Sequence, residues 1–334
     1  MVREASERDA SALLLVPGVP PSLRVRGEME RLEDDPTTAE ETREIAFATV
    51  GEERVCRIGP EVGEAHRSFR VDDIQIGVFV ARVGGEFSIS ISIFPSRIFD
   101  TDEIGMPKGI LDACECRSGI IVFSGLAGSG KTTTAYAALD HINKTRACHI
   151  CTVEDPIVCS LSQGNALVQQ REIGWDLPDN LAGIKAAIVQ DADVIFVMEV
   201  ETFDDLQGCI TAAETGRLVL MVLHPAATPS EAIRRMIEVF PEELRESGRR
   251  SLANSLRAVS TQLLMPKNGG GRVPAYGVLT PDDEMRSSIL SGRDVLERTL
   301  PLPAGCLDIA GEIDRLRASQ IISEEAASTA IRRI

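Results

Sequence analysis

Aromatic side chains are scarce in this chain of 334 residues: one Trp, two Tyr and ten Phe, 4% of the whole. Positive charge is short as well, with 35 Lys and Arg against 51 Asp and Glu and a formal net charge of −16. A surface built broadly for nucleic acid or anionic lipid needs a basic face, and single strands also need stacking aromatics, so the composition argues against those classes, a nucleic-acid motor included. No apolar run approaches the ~20 residues that span a bilayer. Met1 to Glu7 has no apolar core of a secretory signal, so none is expected. Tandem repeats and low-complexity stretches are also missing. The cysteines, at 56, 114, 116, 148, 151, 159, 209 and 306, are scattered. Cys148 and Cys151 have C-x-x-C spacing, but no second pair follows and they lie in an apolar, strand-like run. The expectation is reduced, buried thiols in a cytosolic protein, without structural zinc.

What is present is globular: 43% hydrophobic and 26% charged, at a length that suits two domains. The stretch Gly125-Leu126-Ala127-Gly128-Ser129-Gly130-Lys131-Thr132 matches the phosphate-binding P-loop, G-x-x-x-x-G-K-[ST]. Gly119 to Ser124 before it reads as a buried strand, and Thr133 to Leu139 after it as a helix. Glycines let backbone N–H groups curl around a phosphate, and the helix points its positive end at the same anion. Gly125, Gly128, Ser129, Gly130, Lys131, Thr132 and Thr133 are therefore the expected nucleotide-binding set. Lys131 reaches the β- and γ-phosphates, and the Thr132 hydroxyl is placed for Mg²⁺.

Residues 1–96 read as a small α+β domain. Leu13–Val16 is a strand stopped by Pro17-Gly18, and Ser22–Met29 alternates as one half-buried strand. Thr38–Val50 is a helix capped by Thr37 or Thr38. Ile74–Val80 and Phe87–Ile93 form a hairpin around Val83-Gly84-Gly85-Glu86. A linker follows over 97–107. From 108 to 334 strands and helices alternate, the pattern of an α/β domain with a parallel sheet. Its strands are Ile120–Phe123, His149–Val153, Val194–Val197 and Leu218–Leu223. Gly269–Gly271 is a loop, and the tail from Pro281 is helical, with Ser323 as an N-cap.

Ligands of open α/β sheets bind at the carboxyl ends of strands. Three strand ends carry chemistry. Glu154 and Asp155 close one and suit Mg²⁺ or an attacking water. Glu199 ends another and is expected to orient or deprotonate that water. His224 ends a third, where it can sense the phosphate. Trp175, Glu40-Glu41 and Arg249-Arg250 read more simply as packing or exposed helix surface.

Several segments together resemble the secretion-ATPase superfamily: Thr152-Val153-Glu154-Asp155-Pro156-Ile157, Gln169-Gln170-Arg171-Glu172-Ile173-Gly174, Ala192 through Glu199, Ala212 through Leu220, and Val222-Leu223-His224. The closer likeness is to the type IV pilus retraction ATPases. That likeness extends to Gly18 through Gly27 and to the tail around Gln320-Ile321-Ile322-Ser323, and so covers nearly the whole chain. It implies a PAS-like N-terminal domain on a RecA-like P-loop ATPase domain. It also implies ATP and Mg²⁺ as ligands and a cytoplasmic homohexamer acting on an inner-membrane pilus platform protein. By position, Glu154 and Asp155 fall in the family's Asp box, Glu199 is the Walker B glutamate and His224 the His-box histidine. Met285 through Ile289 falls on its C-terminal Ala-Ile-Arg motif, with Arg286 kept.

The departures from the family share one sign. Met198 stands where the family has Gly, and Glu201 and Val189 stand where it has Arg. Gln75, Gly77 and Ser92 stand where the N-terminal domain contributes arginines, with Arg70 and Arg82 as the nearest substitutes. Arginines offset the charge spread over the transferring phosphoryl group. Nucleotide binding is therefore expected to be better preserved than fast hydrolysis. The alternative to a motor is a non-hydrolysing homologue that assembles with a paralogous motor ATPase.

Overall fold

A computed structural model describes residues 1–25, 28–59, 62–94, 97–223, 225–292 and 305–334. The chain divides into two compact units.

The first unit holds residues 1–97 together with 155–160 and 172–176. Its elements are α1 (Val2–Glu7), β1 (Ala10–Leu15), β2 (Ser22–Val25), β3 (Glu28–Arg31), α2 (Ala39–Val50), α3 (Glu52–Cys56), β4 (Glu64–Val71), β5 (Ile74–Val83) and β6 (Glu86–Ile93). The strands form one antiparallel sheet in the order β3-β2-β1-β6-β5-β4. The expected hairpin is β5–β6. Its two-residue turn puts Gly84 and Gly85 at φ 61° and 94°, the pair of positive values that a twisted hairpin favours. Ile76, Val78 and Val80 face the core with Phe87, Ile89 and Ile91, as period-two alternation requires. Helix α2 begins at a capping box: Glu41 N donates to Thr38 Oγ1 at 3.2 Å, and Thr38 N to Glu41 Oε2 at 2.7 Å. One expectation is corrected here. Ser22–Met29 is not a single strand, because β2 turns back into β3, pairing Val25 with Glu28. Alternation reads the same whether a strand continues or reverses, and the joining residues 26 and 27 lie outside the described residues.

The second unit carries α4 (Lys108–Cys114), β7 (Gly119–Ser124), α5 (Lys131–Thr145), β8 (His149–Glu154), β9 (Leu167–Gln169), α6 (Asn180–Val189), β10 (Val194–Val200), α7 (Phe203–Glu214), β11 (Leu218–Leu223), α8 (Pro229–Glu238), α9 (Arg245–Ser255), β12 (Leu256–Pro266), β13 (Arg272–Leu279), α10 (Asp283–Ser291), α11 (Ile309–Ala318) and α12 (Glu324–Ile331). The sheet order is β13-β12-β7-β11-β10-β8-β9, parallel except for β13 at one edge. All six residues of β7 and of β11 are buried, which is why these strands read as continuous apolar runs. The four expected strands are present. β9, β12 and β13 are additional, and Gly269–Gly271 lies in the loop between β12 and β13. Because its neighbours run parallel, the ends of β7, β8, β10, β11 and β12 share one edge of the sheet.

Among the thiols, Cys114, Cys151, Cys159 and Cys209 are buried, whereas Cys56 is exposed on α3. Among the described residues no helix is long and apolar enough to cross a membrane.

Candidate functional site

The loop after β7 is shaped by glycine. Gly125, Gly128 and Gly130 have φ of 145°, 74° and 87°, values L side chains rarely adopt. Space is also closed at two of them. A Cβ on Gly125 would sit 2.5 Å from Ser129 Oγ, and one on Gly130 would sit 2.9 Å from Gln262 Nε2. Helix α5 starts at Lys131, so the unpaired amides of its first turn and its positive dipole end open onto the loop. Thr132 and Thr133 are half-buried in that turn. Ser129 N donates to the Leu126 carbonyl at 3.0 Å, closing the loop on itself.

Two braces were not singled out by sequence. Gln262 on β12 is buried, and its Nε2 donates to the Ser129 carbonyl at 2.7 Å. Ser124 Oγ accepts from Ala226 N at 3.0 Å. The available signal was the buried polar run Ser260-Thr261-Gln262 inside β12.

Lys131 and Glu199 are brought together, with Nζ to Oε1 at 3.1 Å. The backbone explains the aim of Glu199. β10 pairs Val197 with Met221 and then Val200 with Leu223, so one extra residue bulges at Met198-Glu199. Bulges next to functional sites re-aim side chains in this way. Asn180 Nδ2 holds the Glu199 carbonyl at 2.9 Å. Met198, where the family's glycine was expected, is buried in the core.

Glu154 was expected to meet water. Its carboxylate is instead fully buried, accepting hydrogen bonds from the Tyr136 hydroxyl and, at 3.0 Å, from Gln170 Nε2. A carboxylate so enclosed fixes neighbouring elements and does not touch solvent. Asp155 belongs to the first unit, where Oδ1 lies 2.8 Å from His66 Nε2. The hydrogen bond to Asp155 raises the His66 pKa above its ordinary value, against the opposing effect of burial. His224 lies outside the described residues.

The departures from the family also have places. Gln75 is buried in the first unit; its Nε2 donates to the Ile157 carbonyl at 3.1 Å and its Oε1 accepts from Ser160 Oγ at 2.9 Å. Gly77 packs under Phe94, where a Cβ would come within 3.0 Å of the ring. The two nearest substitutes have local contacts: Arg70 pairs with Asp73 at 3.4 Å, and Arg82 Nε donates to the Gly85 carbonyl at 3.3 Å. Glu201 lines a cavity of about 280 Å³ with Leu206, Leu223, Arg235 and Glu238, and no P-loop residue is among its walls. Val189 is 85% exposed at the end of α6.

The loop fits an anionic phosphate by its own features: backbone cradled where a Cβ cannot enter, helix amides unpaired, and a cation held at the rim. Ser129 Oγ is buried without a hydrogen-bond partner beside the loop amides. Thr132 Oγ is an oxygen donor of the hard type that Mg²⁺ takes.

The family model of the type II/IV secretion system protein matches residues 88–287. The type IV pilus retraction ATPase PilT of Pseudomonas aeruginosa is 31% identical over 288 residues, covering 85% of this chain and 83% of that protein. A twitching motility protein of Neisseria gonorrhoeae is 30% identical, covering 80% of this chain and 72% of its own length. A crystal structure of the pilus retraction motor PilT with bound ADP superposes with a TM-score of 0.87 at 30% identity, covering 98% of this chain and 95% of that one. The ATPase DotB of Legionella pneumophila shares the fold, with a TM-score of 0.85 at 22% identity over 99% of this chain and 94% of its own.

Proposed function

This chain belongs to the type II/IV secretion system protein family as a PilT-like ATPase, and on that premise we propose that it is an ATP-hydrolysing motor of a type IV pilus or twitching-motility machine. The observation that carries the reading is the glycine loop with Lys131 at its rim, 3.1 Å from Glu199.

In the proposed mechanism the amides of 128–132 and the α5 N-terminus bind the β- and γ-phosphates. Lys131 leaves Glu199 for the phosphate oxygens, where a fixed cation stabilises developing charge. Glu199, released, orients the attacking water and accepts its proton. Thr132 Oγ would hold Mg²⁺, which would supply Lewis-acid neutralisation of the phosphate charge. His224 senses the phosphate. Glu154 acts through Tyr136 and Gln170 as an anchor of β8, away from the reacting atoms. By likeness to the family, the working form is a homohexamer, peripheral to the inner membrane through a platform protein.

The second reading is a nucleotide-binding regulator that joins a paralogous motor ATPase. It is favoured by Gln75 and Ser92 at positions where arginines were expected.

Steady-state ATPase rate across protein concentration, with light scattering in the same samples, separates the two. A motor gives a rate that rises as hexamers form and falls by about 10²-fold or more in Lys131→Ala. Hexamers that bind ATP and turn over no faster than Lys131→Ala would establish the regulator.

A further inference from the structure

Two polar groups of the second unit are shut away from solvent without a hydrogen-bond partner, and their residues line the same cavity. They are Ser230 Oγ on α8 and Arg249 Nε on α9. The cavity holds about 600 Å³ between α8, α9 and Gly292 at the end of α10, and no P-loop residue is among its walls. We propose that it binds a small phosphate ester, with Arg245 and Arg249 gripping the anion.

Helical spacing builds the site. Arg245 and Arg249 stand one turn apart on α9, and Ser230 and Arg234 one turn apart on α8, so each pair shares a face. The carboxylates in the walls are already engaged. Glu231 accepts from Ala227 N at 2.7 Å and pairs with Arg235 at 2.7 Å, and Glu238 pairs with Arg234 at 3.1 Å. Arg245 donates Nε to the Phe240 carbonyl at 3.3 Å and meets no carboxylate among the described residues. Arg249 has neither a hydrogen bond nor an ion pair among them. Its neighbour Arg250 differs, being exposed and paired with Glu246 at 3.4 Å. Gly292 leaves room for the guanidinium, since a Cβ there would crowd Arg249 Cζ at 3.1 Å.

Like charges one turn apart repel, and a buried donor without an acceptor is costly. An anion held by both arginines offsets both penalties. The guanidinium fork matches phosphate oxygens two at a time, and the Ser230 hydroxyl adds a further donor. Phosphate alone does not fill the space. The volume is in the range of small-molecule sites, about 300–1,000 Å³, and Ile233, Ile237 and Ile334 give apolar wall for an organic remainder. A soluble ester fits better than a bilayer headgroup, because an anionic surface repels a chain of net charge −16.

The test uses inorganic phosphate as the probe and the full chain carrying Lys131→Ala as the parent, so that the cation of the P-loop does not contribute. Calorimetric titration at fixed ionic strength should give one site. Arg249→Met in this parent should weaken it about tenfold or more, and Arg250→Met should leave it unchanged. Equal binding in these two variants overturns the proposal, as does a parent that binds no phosphate. Urea unfolding without phosphate reads folding separately. Arg249→Met should keep or raise the midpoint of the parent, because the guanidinium gives up no bond. A lowered midpoint would mean that the protein itself already holds Arg249, and the anion site falls. Hydrogen exchange of the parent needs no substitution in the cavity. Phosphate should slow exchange in peptides of α8 and α9, and slowing confined to other peptides overturns the placement. None of these outcomes depends on ATP hydrolysis, so the motor reading stands or falls separately.

Discussion

Tyr136 and Gln170 decide what Glu154 can do. A buried carboxylate is costly unless its oxygens are hydrogen-bonded, and both are. Tyr136→Phe removes one donor while keeping the ring against Phe196, 5.4 Å away between centroids. The variant should lose about 1–3 kcal/mol of stability, the penalty of a buried acceptor left short. Urea unfolding checks this, and an unchanged midpoint would show that water replaces the hydroxyl. The thiols give a second prediction at this scale. Burial pushes Cys114 up to about 12 and Cys209 higher still, while Cys56 is exposed. Because only the thiolate is nucleophilic, a disulfide reagent at pH 8 should modify Cys56 well before Cys114 or Cys209, which react on unfolding. Mass mapping of a timed reaction reads the order. The sequence made Lys131, Thr132 and Glu199 visible, since each sits at a fixed offset in a local pattern. Tyr136, Gln262 and His66 were not visible, because their roles come from partners 18, 133 and 89 positions away.

At the scale of elements, β4 shows how segments distant in sequence become one structure. Glu172 is buried and accepts from Ser68 N at 2.8 Å and Ile157 N at 3.1 Å. Trp175 donates its indole N–H to the His66 carbonyl at 2.7 Å and lies between Arg54 and Arg67, 3.9 and 4.2 Å from its ring centroid. Cation–π pairs of this kind add to packing. The sequence reading that Trp175 packs was right in kind, but its partners were beyond periodicity, which sees only neighbours on the same strand or helix. The same limit hid the β12–β13 hairpin and the reversal into β3. Since the first unit has the only Trp, its fluorescence reports unfolding there. His66 in this cluster faces Asp155, Glu172 and Glu64, all of which raise its pKa. A raised folded-state pKa stabilises fully below the unfolded value, near 6.5, and the contribution is lost as pH rises through the folded value. The Trp175-detected midpoint should therefore fall as pH is raised from about 6 to 8.5, and His66→Asn should flatten that slope. A midpoint that rises over this window in the unaltered protein would contradict the pairing.

The whole molecule has separate cores, one in the antiparallel unit and others in the parallel-sheet unit. This division was half legible. The composition and the change from hairpins to alternating strands and helices placed two architectures in order along the chain. They could not show that 155–160 and 172–176 join the first unit, because that membership rests on contacts across roughly 100 residues, as from Ser68 to Glu172. With separate cores in the two units, unfolding need not be a single two-state event. A ligand of the native state adds RT ln(1 + [L]/Kd), about 2.7 kcal/mol at one hundred times Kd. Mg²⁺–ATP at that excess should raise the melting transition of the unit that holds the P-loop by about 5–11 °C, at about 2–4 °C per kcal/mol for a domain of this size. Lys131→Ala should abolish the shift, because the cation removed is the one held at the rim of the loop. Scanning calorimetry with and without nucleotide makes the comparison, and removal of Mg²⁺ by chelation should return most of the shift. An equal upward shift in Lys131→Ala would place the stabilising site away from the loop, and the motor and regulator readings would fall together, since both require nucleotide to bind there.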